Sequence, residues 1–269
     1  MALNYIIWDP SPEIFSIGSL TIRWYGVLFA SAFVFGYIVF QKIFKKEGVP
    51  IEELDKFTIY VALGTVIGAR LGHVCFYEPG YYCSHPSEIL KVWHGGLASH
   101  GAAIGILIAI WLFVRKSSKS LMWLLDRIGI VVALGGSFIR LGNLMNSEIV
   151  GAPSKLPWAF AFVRDNLQRG LPENFTRHPS QLYESLFYFL LFIILYFLYQ
   201  KGWGKKPGYL FSWFLILLFG FRFIIEFFKD IQVPFESRMA IDMGQWLSIP
   251  FIIGGIVLLF FSIKKQKST

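Results

Sequence analysis

The feature that most restricts this chain is a succession of apolar runs, each long enough for the roughly 20 helical residues that ~30 Å of hydrocarbon demands. They occupy residues 17–41, 57–76, 96–114, 121–142, 182–200, 208–228 and 242–263. A segment surrounded by lipid must satisfy its backbone internally, and runs of this length do so as helices. The expected fold class is all-α, a polytopic integral membrane protein with about seven transmembrane helices. Only 16% of residues are charged against 55% hydrophobic, so lipid solvates most of the surface. The second and fourth runs are the weakest. Arg70, His73 and Arg140 interrupt them, and Gly64, Gly68, Gly72, Gly135 and Gly136 lower helix propensity while permitting close helix contact.

Every second connection is basic, which sets the orientation. Lys42, Lys45, Lys46 and Lys56 form the first such group, Arg115, Lys116, Lys119 and Arg127 the second, Lys201, Lys205 and Lys206 the third, and Lys264, Lys265 and Lys267 the last. Cytoplasmic loops are the positive ones, so the N-terminus is expected outside and the C-terminus in the cytoplasm. The net charge of +8 follows this alternation rather than one basic face, and no nucleic acid is expected as a partner. Residues 1–18 hold Asp9 and Glu13 and lack the cationic start of a cleavable signal, so the first run is expected to stay as a span. Cys75 and Cys83 form neither a metal spacing nor a disulfide framework. Residues 1–269 read as a single transmembrane domain, with the long connection 143–181 as a small external cap.

Charged side chains inside spans cost about 2.5 to 3.5 kcal/mol each on insertion scales, so their depth is informative. On the expected orientation, Tyr25, Arg70, His73, His100, Arg140 and Arg222 all lie toward the outer face. Asn143, Asn146 and Glu148 follow Arg140 and lead into Gly151; Glu226 stands one helical turn after Arg222, where it would pair with it. His178 and Gln181 flank Pro179-Ser180 at the start of the fifth run, and Glu184 sits in its first turn. A structural reading stands beside each: Arg70 as a snorkelling side chain, Tyr25 as a belt aromatic, His100 as a satisfied interfacial polar group, and the Arg-Asn-Asn-Glu cluster as a capped helix end.

Two arginines at headgroup depth suit a lipid phosphate, because a guanidinium binds phosphate oxygens in a fork and keeps its charge. A histidine nearby can serve as a base near neutral pH. Together these point to a transferase that consumes phospholipid. No His-Glu-x-x-His or clustered Cys/His pattern calls for a metal, and no Gly-x-Ser-x-Gly turn calls for an acyl-serine. A phospholipid transporter or flippase is the alternative; it would place polar groups through the whole membrane depth, whereas the inner halves of these runs look apolar.

These residues resemble the prolipoprotein diacylglyceryl transferase family over most of the chain. The likeness rests on Arg23-Trp24-Tyr25-Gly26, Gly68-Ala69-Arg70-Leu71-Gly72, His94-Gly95-Gly96-Leu97 with His100-Gly101, and Arg140-Leu141-Gly142-Asn143 through Asn146, Glu148 and Gly151. It continues in Arg177-His178-Pro179-Ser180-Gln181-Leu182-Tyr183-Glu184, Phe221-Arg222 with Glu226-Phe227, and Met243-Gly244-Gln245. Ile139 and Leu144 depart from the family's usual Gly and Phe. The resemblance implies transfer of diacylglyceryl from phosphatidylglycerol to the lipobox cysteine in the signal peptide of a preprolipoprotein, releasing glycerol 1-phosphate, in a bacterial inner membrane with the site toward the periplasm. It implies no cofactor and no metal. His100, Arg140, Arg222, Glu148 and Glu226 would be catalytic, with His100 as base or as a group that orients the phosphate, the arginines on phosphate and the two glutamates orienting them. Tyr25, Arg70, Asn143, Asn146, Gly151, His178 and Gln181 would bind substrate.

Overall fold

A computed structural model describes residues 5–18, 20–92, 96, 98–230 and 241–266. The expected runs appear as helices α1 (Trp24–Lys46), α2 (Ile51–Phe76), α4 (Ser99–Lys116), α5 (Leu121–Asn146), α7 (Ser180–Gln200), α8 (Tyr209–Ile225) and α9 (Met243–Gln266). Short α3 (Pro79–Ser84) and α6 (Val163–Gln168) lie between them. Among the described residues six helices are long and apolar enough to cross a membrane, making this a multi-pass membrane protein; α4 is not among them. Exposed Phe189, Ile193 and Phe197 on α7, and Ile253, Val257 and Phe260 on α9, form the apolar exterior that lipid requires.

Two boundaries and the placement of one charge differ from those expected. The first helix begins at Trp24 rather than residue 17, because β2 (Glu13–Ile17) and β3 (Leu20–Arg23) pair antiparallel around Gly18, whose φ of +59° suits glycine. Lys56 belongs to α2 rather than to a loop. Arg127, expected as a loop charge, lies within α5 and is buried.

The chain divides into two compact units, residues 1–39 with 125–269, and residues 40–124. In the second unit α2 and α4 touch backbone to backbone: a Cβ added to Gly68 would lie 2.4 Å from the Gly101 carbonyl oxygen, and one added to Gly64 2.6 Å from that of Gly105. Small residues here allow the close approach that helices in lipid use for van der Waals packing.

In the first unit, β1 (Ile6–Trp8) pairs parallel with β4 (Phe160–Phe162), which pairs antiparallel with β5 (Thr176–Arg177). Leu144, Val150, Phe160 and Phe162 form a small core beneath this sheet, with Trp8 and Leu182 against it. The sheet and α6 also cap α5. Trp8 Nε1 donates to the Leu144 carbonyl at 3.0 Å, and Arg164 Nη2 donates to the Met145 carbonyl at 3.0 Å, satisfying carbonyls that a helix end leaves open.

Candidate functional site

A cavity of about 200 Å³ in the first unit is lined by Arg140, Arg222, Lys229, Glu226, Ile149 and Gly244, with Met243 and Leu247. Arg140 projects from α5, Arg222 from the last turn of α8, and Lys229 from just beyond the 3-10 turn that ends α8. Glu184, in the second turn of α7 and wholly buried, holds two of these cations: Arg140 Nε stands 3.1 Å from its Oε2 and Lys229 Nζ 3.3 Å from its Oε1. The hydroxyl of Tyr188 donates to the same Oε1 at 3.2 Å. Lys229 Nζ also meets Glu226 Oε2 at 3.0 Å. A buried carboxylate among such partners stays compatible with the protein interior, and removal of one partner costs about 3 to 5 kcal/mol.

Arg222 differs. Among the described residues its side chain makes no hydrogen bond or ion pair, although it lines the same cavity. The expected pairing of Glu226 with Arg222 is therefore corrected: Glu226 faces Lys229, which comes within reach as the chain leaves α8. Gly244 makes room for that carboxylate, since a Cβ there would sit 2.6 Å from Glu226 Cδ.

The loop after α5 is bound tightly around this cavity. Arg140 Nη1 donates to Asn143 Oδ1 at 3.2 Å, Asn143 Nδ2 donates to Glu148 Oε2 at 3.2 Å, and Asn146 Nδ2 donates to Glu148 Oε1 at 3.0 Å. Glu148 thus reaches Arg140 through Asn143, and Glu184 is the carboxylate directly on the arginine, a second correction to the expected roles. Ser147 and Ile149 have φ of 55° and 57°, the left-handed region that costs a β-branched residue most. The N-terminus of α7 holds this strained turn: Gln181 Nε2 donates to the Glu148 carbonyl and Ser180 Oγ to that of Ile149 at 2.8 Å. Gln181 is fully buried and its Oε1 has no hydrogen-bond partner among the described residues.

Gly151 lies where three backbone segments meet. Its N–H donates to the His178 carbonyl at 2.9 Å, it bridges to Lys229, and a Cβ would meet His178 Cβ at 2.5 Å and the Phe228 carbonyl oxygen at 2.7 Å. His178 packs edge-on against Phe228 with ring centroids 5.5 Å apart, and burial holds its pKa below the ordinary histidine value. Tyr25, in the first turn of α1, lies against Gly142, where a Cβ would come within 2.8 Å of the ring.

Arg70 and His100 belong to the second unit. Arg70 is buried rather than snorkelling: Nε donates to the Ile89 carbonyl at 2.9 Å, Nη1 to that of Gly96 at 3.1 Å, and Nη2 to those of Glu88 and Lys91, with Cζ 4.9 Å from the centre of the Tyr82 ring. His100 is exposed in the first turn of α4. His94, Gly95 and Leu97 of the preceding motif lie outside the described residues.

Lys229 is not among the residues expected from the sequence, and Glu184 enters there as a helix-end charge and as the last residue of a family block, without a site role. A signal for Lys229 is nevertheless present: Arg222, Glu226 and Lys229 stand at i, i+4 and i+7, one helical face continued past the apolar run.

Known proteins share this chain's sequence along nearly its whole length. The family model described as prolipoprotein diacylglyceryl transferase matches residues 12–261. A phosphatidylglycerol-prolipoprotein diacylglyceryl transferase of Chloroherpeton thalassium is 50% identical, covering 98% of this chain and 97% of its own. One of Tolumonas auensis is 48% identical, over 97% of this chain and 99% of its own, and one of Bacteroides fragilis is 43% identical, over 97% and 96%.

Proposed function

This chain belongs to the prolipoprotein diacylglyceryl transferase family, and from that premise we propose how its residues divide the work of the reaction. The chain transfers the diacylglyceryl group of phosphatidylglycerol to the lipobox cysteine of a preprolipoprotein, an early step of lipoprotein maturation. The cysteine thiol loses its proton, the thiolate sulfur attacks the terminal glyceryl carbon, and the carbon–oxygen bond to phosphate breaks. A thioether forms and glycerol 1-phosphate leaves with the bonding electron pair.

The leaving phosphate gains negative charge as that bond breaks, so the productive device is a cation whose interaction strengthens in the transition state. Arg222 carries this reading, because it faces a cavity shared with Arg140 and Lys229 and no carboxylate is bound to it among the described residues. Arg140 and Lys229, fixed by Glu184, hold the phosphate in place. Asn143, Asn146 and the exposed Glu148 offer hydrogen bonds to the glycerol headgroup, and Tyr25 borders the lipid at the end of α5. Gly151, His178 and Gln181 serve through the backbone they organise, and Arg70 by holding the carbonyls of Glu88, Ile89, Lys91 and Gly96. His100 takes the thiol proton; a thiol of ordinary pKa near 8.5 needs such a base. The membrane is the bacterial inner one, with the N-terminus and residues 143–181 on the periplasmic side and the C-terminus in the cytoplasm. The alternation of basic loops supports that orientation.

Purified protein mixed with phosphatidylglycerol and a lipobox peptide tests this. The expected products are a diacylglyceryl-cysteine peptide and an equal amount of glycerol phosphate, both seen by mass spectrometry. Lipid movement between vesicle leaflets without the peptide adduct would replace the reading with transport.

A further inference from the structure

At the other end of the helices that carry Arg140 and Arg222 lies a second polar knot that the proposed chemistry does not use. Asp126, on α5, is completely buried. Its Oδ2 accepts the Gly208 N–H at 2.8 Å and its Oδ1 accepts the Phe211 N–H at 2.9 Å, two donors at the N-terminus of α8. Its neighbour Arg127, also buried, donates from Nη2 to the Gly204 carbonyl at 3.2 Å and lies 5.8 Å from the centre of the Tyr199 ring. α8 has no side-chain cap of its own, since the residue before it is Gly208 with φ of +79°. Its cap comes from another helix.

The spacing gives this contact a consequence. Fourteen residues separate Asp126 from Arg140 along α5, and fourteen separate Gly208 from Arg222 along α8. At ~1.5 Å per residue both arginines stand roughly 21 Å along their helices from one shared pin. We propose that Asp126 is a positioning residue that fixes the axial register of α8 on α5 and so holds Arg222 level with Arg140. Without it two buried amides lose their acceptor, and α8 relieves this by sliding or turning toward other partners. A one-residue step moves Arg222 by ~1.5 Å and swings it about 100° around the helix. The functional part of this inference rests on the assignment of the arginines to phosphate; the register part does not.

The test therefore reads position and activity separately. Spin labels at Val132 and Ile224, both lipid-exposed on α5 and α8, report the interhelical distance in a background where Cys75 and Cys83 are serine. Asp126→Ala is expected to shift or broaden that distance by about 2 Å and to lower kcat at least tenfold, with Asp126→Asn, which keeps one acceptor, between it and the parent. Combined with Arg222→Lys, Asp126→Ala is expected to slow the reaction no further than the slower single variant. An unchanged distance in both Asp126 variants, or activity losses that simply multiply in the double variant, overturns the pin. A shifted distance with unchanged activity leaves the pin standing and removes the phosphate role of the arginines. If Asp126→Ala does not accumulate, Asp126→Asn decides by the same readings.

Discussion

Arg70 in the second unit directs its guanidinium at four backbone carbonyls and lies over Tyr82, whereas Arg222 in the first unit faces a cavity with no bonded partner among the described residues. Both are arginines near the end of an apolar helix, and hydropathy cannot tell them apart. What separates them is whether the donors are already used. A guanidinium saturated by carbonyls is part of the scaffold; one held in a polar cavity without an acceptor is prepared for an anion.

That contrast can be broken by paired substitutions. Arg222→Ala is expected to lower activity by a thousandfold or more while normal amounts of protein reach the membrane. Arg70→Ala is expected to act the other way, reducing accumulation and detergent melting temperature because it strips a donor from four half-buried carbonyls, with the surviving protein keeping most of its specific activity. Arg70→Ala protein of full stability and no activity would place Arg70 with the substrate instead.

A smaller effect is expected at Lys229. Lys229→Met leaves Glu184 and Glu226 without their shared cation, and a loss near a hundredfold should be partly recovered by adding Glu226→Gln, measured as initial rates. Gly151→Ala forces a Cβ into His178 and the Phe228 carbonyl, beside Lys229; a ten- to hundredfold loss of rate is expected, with the thermal transition falling by a few degrees. The smallest effect concerns pH. His178 has a lowered pKa in the fold because burial disfavours its charge, so the unfolded chain binds its proton first. Its stability contribution is intact above about pH 6.5, the unfolded value. It declines as pH falls through the folded value. His178→Gln should flatten this part of a melting-temperature profile between pH 8 and 5.

Much of this arrangement is legible in the sequence. The long helices follow from apolar length, although among the described residues only six of the seven expected spans are long and apolar enough to cross a membrane, and Arg140 and Arg222 follow from the cost of charge at depth. The strands are not legible, for separate reasons. Residues 17–23 are apolar enough to merge with the first helix, and β1 pairs with β4 across some 150 residues, a contact no local pattern encodes. Lys229 lies just beyond an apolar run, so a window that stops at Phe228 misses it by one residue. Arg127 resembles one more loop cation beside Lys119, and this hides Asp126 and the α8 cap next to it. Windowed hydropathy finds where charge is expensive; it does not report which charges are already bonded.

The role of Arg222 at the leaving phosphate is tested by a single-turnover comparison of the parent protein and Arg222→Ala, each saturated with phosphatidylglycerol and mixed with a lipobox peptide. The rates of thioether formation and of glycerol phosphate release are followed together. Equal, coupled appearance of both products is expected in the parent, and a fall of at least a thousandfold in both for Arg222→Ala. Thioether formed by Arg222→Ala at the parental rate would contradict that role.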